Sequence, residues 1–254
     1  PEHVSFALLE SNIITLHGLD TGLAAISASA SNQTVVDPKP IFLSNPTGKS
    51  TLVDEYTAKK SLEKYGLKIP KTEKCLPSDA HFVSDQIGYP VVVKILGSAH
   101  KSELGEVFLN LENQKAVKNA LKKVSKKPVI IEKMIDDAIV ELIIGIVHDP
   151  AHGMLLTIGA GGVLTEILSD TSSLLLPSSE YDVLECFNQL KISRIAKGYR
   201  GFLGVEVNQI VDAIMKIQEF VLDNRDRVFE IEINPLIVTS SEAIVGDALI
   251  REVP

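Results

Sequence analysis

The residues with the most evident chemistry lie near the C-terminus, where Glu232, Asn234 and Asp247 supply oxygen atoms with no His or Cys beside them. In the run Val228 to Val238, apolar and polar residues alternate from Phe229 to Asn234. That is the period-two pattern of a half-buried strand. Phe229, Ile231 and Ile233 then share one face, and Glu230, Glu232 and Asn234 share the other. Pro235 cannot donate a ladder hydrogen bond, so it ends regular pairing or marks an edge. A second strand-like run, Ala243 to Ile250, follows almost at once. With Ser240-Ser241 as the tip of a two-residue hairpin, Asn234 lies opposite Asp247, although the tip lacks the glycine such turns favour. Hard oxygen ligands of this kind suit magnesium held together with substrate phosphates. The same pattern also fits an amphipathic strand whose carboxylates are simply solvated.

Three further stretches carry possible chemistry. Tyr89 to Leu96 is a β-branched run containing one lysine, Lys94. A lysine within an apolar strand either meets an anion or reaches water from an edge. Gly97 to Gly105 is a polar loop in which His100 sits beside Lys101, and glycine at both ends allows movement or close approach to a ligand. A lone loop histidine is also commonly just exposed. Gly159-Ala160-Gly161-Gly162 follows a strand-like run and can present backbone N–H groups to phosphate. No dinucleotide-binding spacing follows it, because the next glycine after Gly162 is Gly198. Asn45-Pro46-Thr47-Gly48-Lys49-Ser50 imitates the end of a phosphate-binding loop, but Leu43 stands where its first glycine is required. It reads as a linker turn.

The elements that must position these groups can be read in order. Residues 11–30 suggest a short strand, Ile13 to Leu16, and a helix with Leu19, Leu23 and Ile26 at helical spacing. Residues 33–50 carry Pro38, Pro40 and Pro46 and read as a linker. Thr51 and Asp54 have capping-box spacing, which predicts a helix opening at Thr51 and stopping at Gly66. A helix from Pro77-Ser78 to Gly88 leads into the Lys94 strand, and Asn113 to Ser125 is an amphipathic helix. Strands are expected at Val129 to Met134, Val140 to Val147 and Met154 to Ile158. Helices follow at Tyr181 to Leu190 and Val205 to Asn224. The last of these places Val207, Ile210, Val211, Ile214, Ile217 and Val221 on a core-facing stripe.

The 254 residues are enough for one large domain, or one domain plus a fragment. A 45% hydrophobic, 23% charged composition is that of an ordinary soluble protein. The net charge of −8 argues against a nucleic-acid partner. No apolar run approaches bilayer-spanning length, and no signal peptide opens the chain. Cys75 and Cys186 form no CxxC pair and fit reduced thiols in a cytoplasmic protein. The start at Pro1 suggests a fragment of a longer chain.

Taken together, the motifs fall in a familiar order. The chain resembles the ATP-grasp domain of the NDP-forming (ADP-forming) acyl-CoA synthetases, relatives of the succinyl-CoA synthetase β subunit. The resemblance rests on Gly88-Tyr89-Pro90-Val91-Val92-Val93-Lys94-Ile95, His100-Lys101-Ser102, Glu141-Leu142-Ile143-Ile144-Gly145, the stretch Gly159 to Glu166, and Glu232-Ile233-Asn234-Pro235-Leu236 with Asp247-Ala248-Leu249-Ile250. Gly18 to Ile26 also resembles the end of the CoA-ligase domain that precedes ATP-grasp in fused members. The resemblance implies an α/β ATP-grasp fold of two α+β subdomains gripping the nucleotide, over residues 51–254. Residues 1–32 would be the tail of a CoA-ligase-like domain.

It further implies an acid–thiol ligase that forms acyl-CoA from a carboxylic acid, CoA and ATP, reversibly, through acyl phosphate and phosphohistidine. ATP or ADP would be the nucleotide, and Mg2+ the cofactor. CoA and the acid would enter through upstream domains or a partner subunit, in a homo- or hetero-oligomer. Lys94 matches the lysine that holds nucleotide phosphates, and Glu132, Lys133 and Met134 match the hinge strand that meets the adenine. Glu141, Gly161 and Gly162 fall beside the nucleotide loops. Asn234 and Asp247 match the magnesium ligands, with Glu232 beside them. His100 matches a histidine that carries phosphate, a role suited to a neutral imidazole near pH 7. Two departures stand out: Glu103 and Gly105-Glu106 replace the usual Asp and Gly-Gly pair, and Leu174 stands ahead of Pro177 where many members have arginine. They favour an alternative, a catalytically silent ATP-grasp module that regulates or holds together a multidomain acyltransferase.

Overall fold

The computed structural model describes residues 2–11, 13, 15–16, 18–31, 46, 48–96, 106–124, 127–150, 152–162, 170–201 and 203–253. The chain divides into two compact units, Pro1–Pro40 and Ile41–Pro254. The first contains helices α1 (Glu2–Glu10) and α2 (Leu19–Ser31). The expected strand at Ile13 to Leu16 is not formed at the residues described there, and α1 lies upstream where no helix was expected. Leu19, Leu23 and Ile26 do share a helix, and all three stand exposed.

The second unit opens with β1 (Thr51–Val53), not with the expected helix. Thr51 pairs with Glu252, so the edge strand is fixed by a partner two hundred residues away. The helix begins one turn later as α3 (Glu55–Glu63), where Asp54 caps it by accepting a hydrogen bond from Thr57 N. Then come β2 (Thr72–Cys75), α4 (Ala80–Ile87), β3 (Val91–Ile95), β4 (Val107–Leu111), α5 (Gln114–Ala120) and β5 (Val129–Lys133). These strands form an antiparallel four-stranded sheet in the order β2-β5-β3-β4. Helices α4 and α5 close its core through Ala80, Ile87 and Val117, with Leu121 from the 3-10 turn that follows α5.

The rest of the unit builds a larger antiparallel sheet from β6 (Val140–Asp149), β7 (Gly153–Ala160) and β8 (Thr171–Leu175), followed by helices α6 (Glu180–Asn188), α7 (Ile192–Ala196) and α8 (Val207–Asp223), and then β9 (Val228–Val238), β10 (Ala243–Val245) and β11 (Ala248–Glu252). The strand order is β1-β11-β9-β6-β7-β8, with β10 also on β9. Helices α6, α7 and α8 cover its apolar face, and the stripe read from sequence on α8 is buried against it, Val207 only partly. The sequence offered no period for the short strands β2, β4 and β8 or for the five-residue α7.

Two details of β9 refine the expectation. Phe229 is 37% exposed, because a bulge pairs Arg251 with Glu230 and Glu252 with Val228 and so passes over it. Val228 takes the buried place instead. Pro235 does not lie at an edge, but it does end regular pairing, as the first alternative has it. It sits in a central strand where the partner changes from β11 to β10 and the β6 register shifts.

Candidate functional site

The hairpin register is the one that places Asn234 opposite Asp247. Ala243 faces Val238, Ile244 faces Ile237 and Val245 faces Leu236, then Ala248 faces Ile233 on the far side of the interruption. Ser240-Ser241 is the tip, closed by Thr239 N donating to Glu242 O at 2.8 Å. The hydroxyl of Thr239 accepts from Ser241 N and Glu242 N, which supports a turn that has no glycine. Gly246-Asp247 interrupts the strand, anchored by Gly246 N donating to Pro235 O.

Across β9, the end of β7 joins the same row. Gly161 N donates to Glu141 O at 2.8 Å, and Gly162 N donates to Asn234 Oδ1 at 3.1 Å. Both glycines are required by geometry. A Cβ on Gly161 would lie 2.4 Å from the Leu142 carbonyl carbon. Gly162 has φ of +61° and its Cβ position is already filled by the Glu141 carboxylate. Glu141, Gly161, Gly162, Asn234 and Asp247 are thus assembled by sheet register, with Glu232 two residues along β9.

Lys94 projects from β3 on the other side of the site. It belongs to an interior strand and is 6% exposed, so the alternative of an edge lysine reaching water does not hold. Its Nζ lies 2.6 Å from Glu55 Oε1, 2.7 Å from Gly246 O, 3.1 Å from Glu132 Oε2 and 3.8 Å from Asp247 Oδ2. Lys59, wholly buried on α3, donates to Glu132 Oε1 at 2.6 Å and Gly246 O at 2.5 Å, with Glu55 Oε1 3.1 Å away. Thr72 Oγ1 donates to Glu132 Oε1 as well. Burial opposes charge on Lys94, but Glu132, Glu55 and Asp247 outweigh it and hold its pKa well above the ordinary lysine range. Burial likewise opposes charge on Glu132, and Lys94 and Lys59 hold it below the ordinary glutamate range.

Two lysines and two glutamates are therefore buried together and balance in charge. The cluster joins α3, both sheets and the residue before Asp247. Glu132 turns its carboxylate into this cluster. Lys133 Nζ donates to Tyr89 O, and Met134 N donates to Pro90 O. Glu55 and Lys59 were not singled out in sequence. They were signalled by α3 itself, whose inward stripe Glu55, Ala58, Lys59 and Leu62 carries two charges at helical spacing. His100 lies outside the described residues.

Among the described residues, no three His, Cys, Asp or Glu side chains gather closely enough to hold an ion by themselves. Asn234, Asp247 and Glu232 nonetheless form an oxygen-only donor set that fits Mg2+ completed by substrate phosphates. Asn234 Oδ1 has a second lone pair beyond the one taken by Gly162 N. A surface hollow lined by Gly66, Asp212, Lys216 and Glu242 lies away from this cluster and contains none of these groups. Among the described residues, no helix is long and apolar enough to cross a membrane.

With this geometry established, comparison with known proteins is informative. Residues 46–251 match the model of the ATP-grasp domain. The chain is similar to ADP-forming acetate–CoA ligase II of Archaeoglobus fulgidus, 34% identical over 206 residues, covering 78% of this chain and 30% of that protein. It is similar also to the β subunit of ADP-forming acetate–CoA ligase II of Pyrococcus furiosus, 31% identical over 219 residues, covering 80% of this chain and 92% of that subunit. The chain thus spans under a third of the first relative and most of the second. Among solved structures it is similar to Ca. Korarchaeum cryptofilum dinucleotide forming acetyl-coenzyme A synthetase 1. That match has a TM-score of 0.69 at 30% identity, covering 78% of this chain and 92% of that one. That protein was solved with coenzyme A and Mg-AMPPCP, its phosphohistidine segment pointing towards the nucleotide binding site.

Proposed function

The chain belongs to the ATP-grasp domains of the ADP-forming acyl-CoA synthetases, and from that premise we propose that it binds Mg-ATP or Mg-ADP as the nucleotide half of an acid–thiol ligase. ATP-grasp enzymes use ATP or ADP. The reaction proposed is reversible formation of acyl-CoA, ADP and phosphate from a carboxylic acid, CoA and ATP. The acid and CoA would be handled by a partner subunit or by further domains, in the cytoplasm.

One observation carries the reading: Lys94 Nζ lies 3.8 Å from the Asp247 carboxylate, placing a buried cation beside an oxygen set suited to magnesium. Lys94 would meet the nucleotide phosphates, where a fixed positive charge offsets charge gathered on the transferring group. Asn234 and Asp247 would hold Mg2+, with Glu232 beside them, and the ion would neutralise phosphate oxygens. The Gly161-Gly162 turn holds the Asn234 side chain through Gly162 N and so fixes one donor. The strand end at Glu132, Lys133 and Met134 would form the wall for the base. His100 would carry the phosphoryl group between the nucleotide and the acyl site.

Thermal unfolding with ADP, with and without magnesium, tests the nucleotide site. A ligand that binds only the folded state stabilises it by about 2.7 kcal/mol at a hundredfold excess over Kd. The expected result is a magnesium-dependent rise that Asp247→Ala loses; a rise equal in the variant would sink the metal assignment. For His100, the expectation is that His100→Ala abolishes acid-labile phosphorylation in the reconstituted ligase and leaves ADP affinity unchanged. Retained phosphorylation would move the carrier elsewhere.

A further inference from the structure

We infer that Lys59 is a positioning residue, a cation that stays behind in the buried cluster so that Lys94 can turn to the nucleotide phosphate. This rests on the nucleotide role proposed for Lys94. The two ammonium groups share one set of acceptors. Lys94 reaches Glu55 Oε1, Gly246 O and Glu132 Oε2. Lys59 reaches Glu55 Oε1, Gly246 O and Glu132 Oε1. Glu55 Oε1 and Gly246 O, which Lys94 would leave, are therefore still held by Lys59, and Glu132 keeps Lys59 on its other oxygen. A buried carboxylate stripped of its only counter-ion is strongly unfavourable, and a buried carbonyl without a donor is costly too. Lys59 lessens both penalties.

The placement of the two lysines agrees with this division. Lys59 sits on α3 and is entirely buried, with no route to a ligand. Lys94 retains slight exposure, and Asp247, 3.8 Å away, has a third of its side chain exposed. Gly246 O is the acceptor common to both, and Gly246 immediately precedes Asp247. While Lys59 holds that carbonyl, the backbone at Asp247 keeps its place whichever way Lys94 points.

Charge counting supplies the test. With Lys94 turned to phosphate, the wild-type cluster keeps Lys59 against two glutamates, a net of −1. In Lys59→Met the same move leaves the two glutamates without either lysine, a net of −2 among these four side chains. In Lys59→Met/Glu55→Gln it leaves one glutamate, restoring the net of −1. ADP affinity, measured by titration calorimetry on the full 254-residue chain, is the readout, with thermal stability followed in parallel. The expected result is that Lys59→Met weakens ADP binding by about tenfold or more, within the usual range of site-to-site coupling. The double variant should regain most of that loss. It also keeps the test possible should the single variant fail to fold, since it then binds ADP within a few-fold of wild type. Wild-type ADP affinity in a folded Lys59→Met protein overturns the proposal, because a merely structural lysine changes stability and not affinity. So does a loss that Glu55→Gln fails to recover. Absence of ADP binding in the wild type defeats the nucleotide reading itself, and is seen before any substitution is made.

Discussion

The two sides of the site are held in place by different physics. On the β3–α3 side, Lys59, Lys94, Glu55 and Glu132 are buried and fix one another through charge. On the β6–β7–β9 side, Asn234, Asp247 and Gly162 are half-buried and held by backbone register. Charge positions groups that must be kept dry, and register positions groups that must stay open to a ligand. A removed charge on the first side leaves a buried partner exposed to a low-dielectric interior, whereas a removed oxygen on the second side is replaced by water. Stability should therefore concentrate in the lysine cluster and ligand binding in the oxygen row.

Lys94→Met is the strongest way to break this contrast. It leaves Glu55 and Glu132 sharing Lys59, a net charge of −1 among these buried groups, and breaking a buried pair typically costs ~3–5 kcal/mol. Denaturant unfolding should show a loss of that size, while Asp247→Ala, whose side chain is partly solvated, should change stability by less than about 1 kcal/mol. Equal losses in the two variants would mean that the oxygen row is as structural as the cluster.

The same contrast explains what the sequence disclosed. The alternation from Phe229 to Asn234 and the Ser240-Ser241 tip are local, and hairpin register follows from local counting once the tip is placed. The Asn234–Asp247 row was legible for that reason. The α8 stripe was legible too, because helical periodicity repeats over seventeen residues. The cluster was not, because Lys59 meets Glu132 and Lys94 meets Glu55 across separations that no local period encodes. Lys94 was visible as an anomaly in an apolar strand, but its partners were not. Thr51 was misread as a helix start for the same reason: three residues show no period, and the strand exists only because Glu252, Arg251 and Ile250 lie alongside. Phe229 was assigned to the wrong face because a bulge is a property of two strands, not of one.

A smaller effect sharpens the comparison from the register side. Gly161→Ala would bring a methyl group within 2.4 Å of the Leu142 carbonyl carbon, 2.6 Å of its oxygen and 2.8 Å of Ile143 N, all backbone atoms that cannot rotate aside. The end of β7 must then separate from β6, at a cost of about 1–3 kcal/mol, the usual range for overpacking. Gly145→Ala is the matched control, since a Cβ there meets nothing within 4 Å in the same sheet. It should be neutral or slightly stabilising, because glycine gives a strand no side chain to pack and more chain entropy to lose. If register rather than charge fixes the oxygen row, Gly161→Ala should also weaken magnesium-dependent ADP binding, because Gly162 N is what holds the Asn234 amide. Magnesium-dependent binding that survives the backbone shift would show that Asn234 is held by its own strand, and the contrast between the two sides would narrow to the lysine cluster alone.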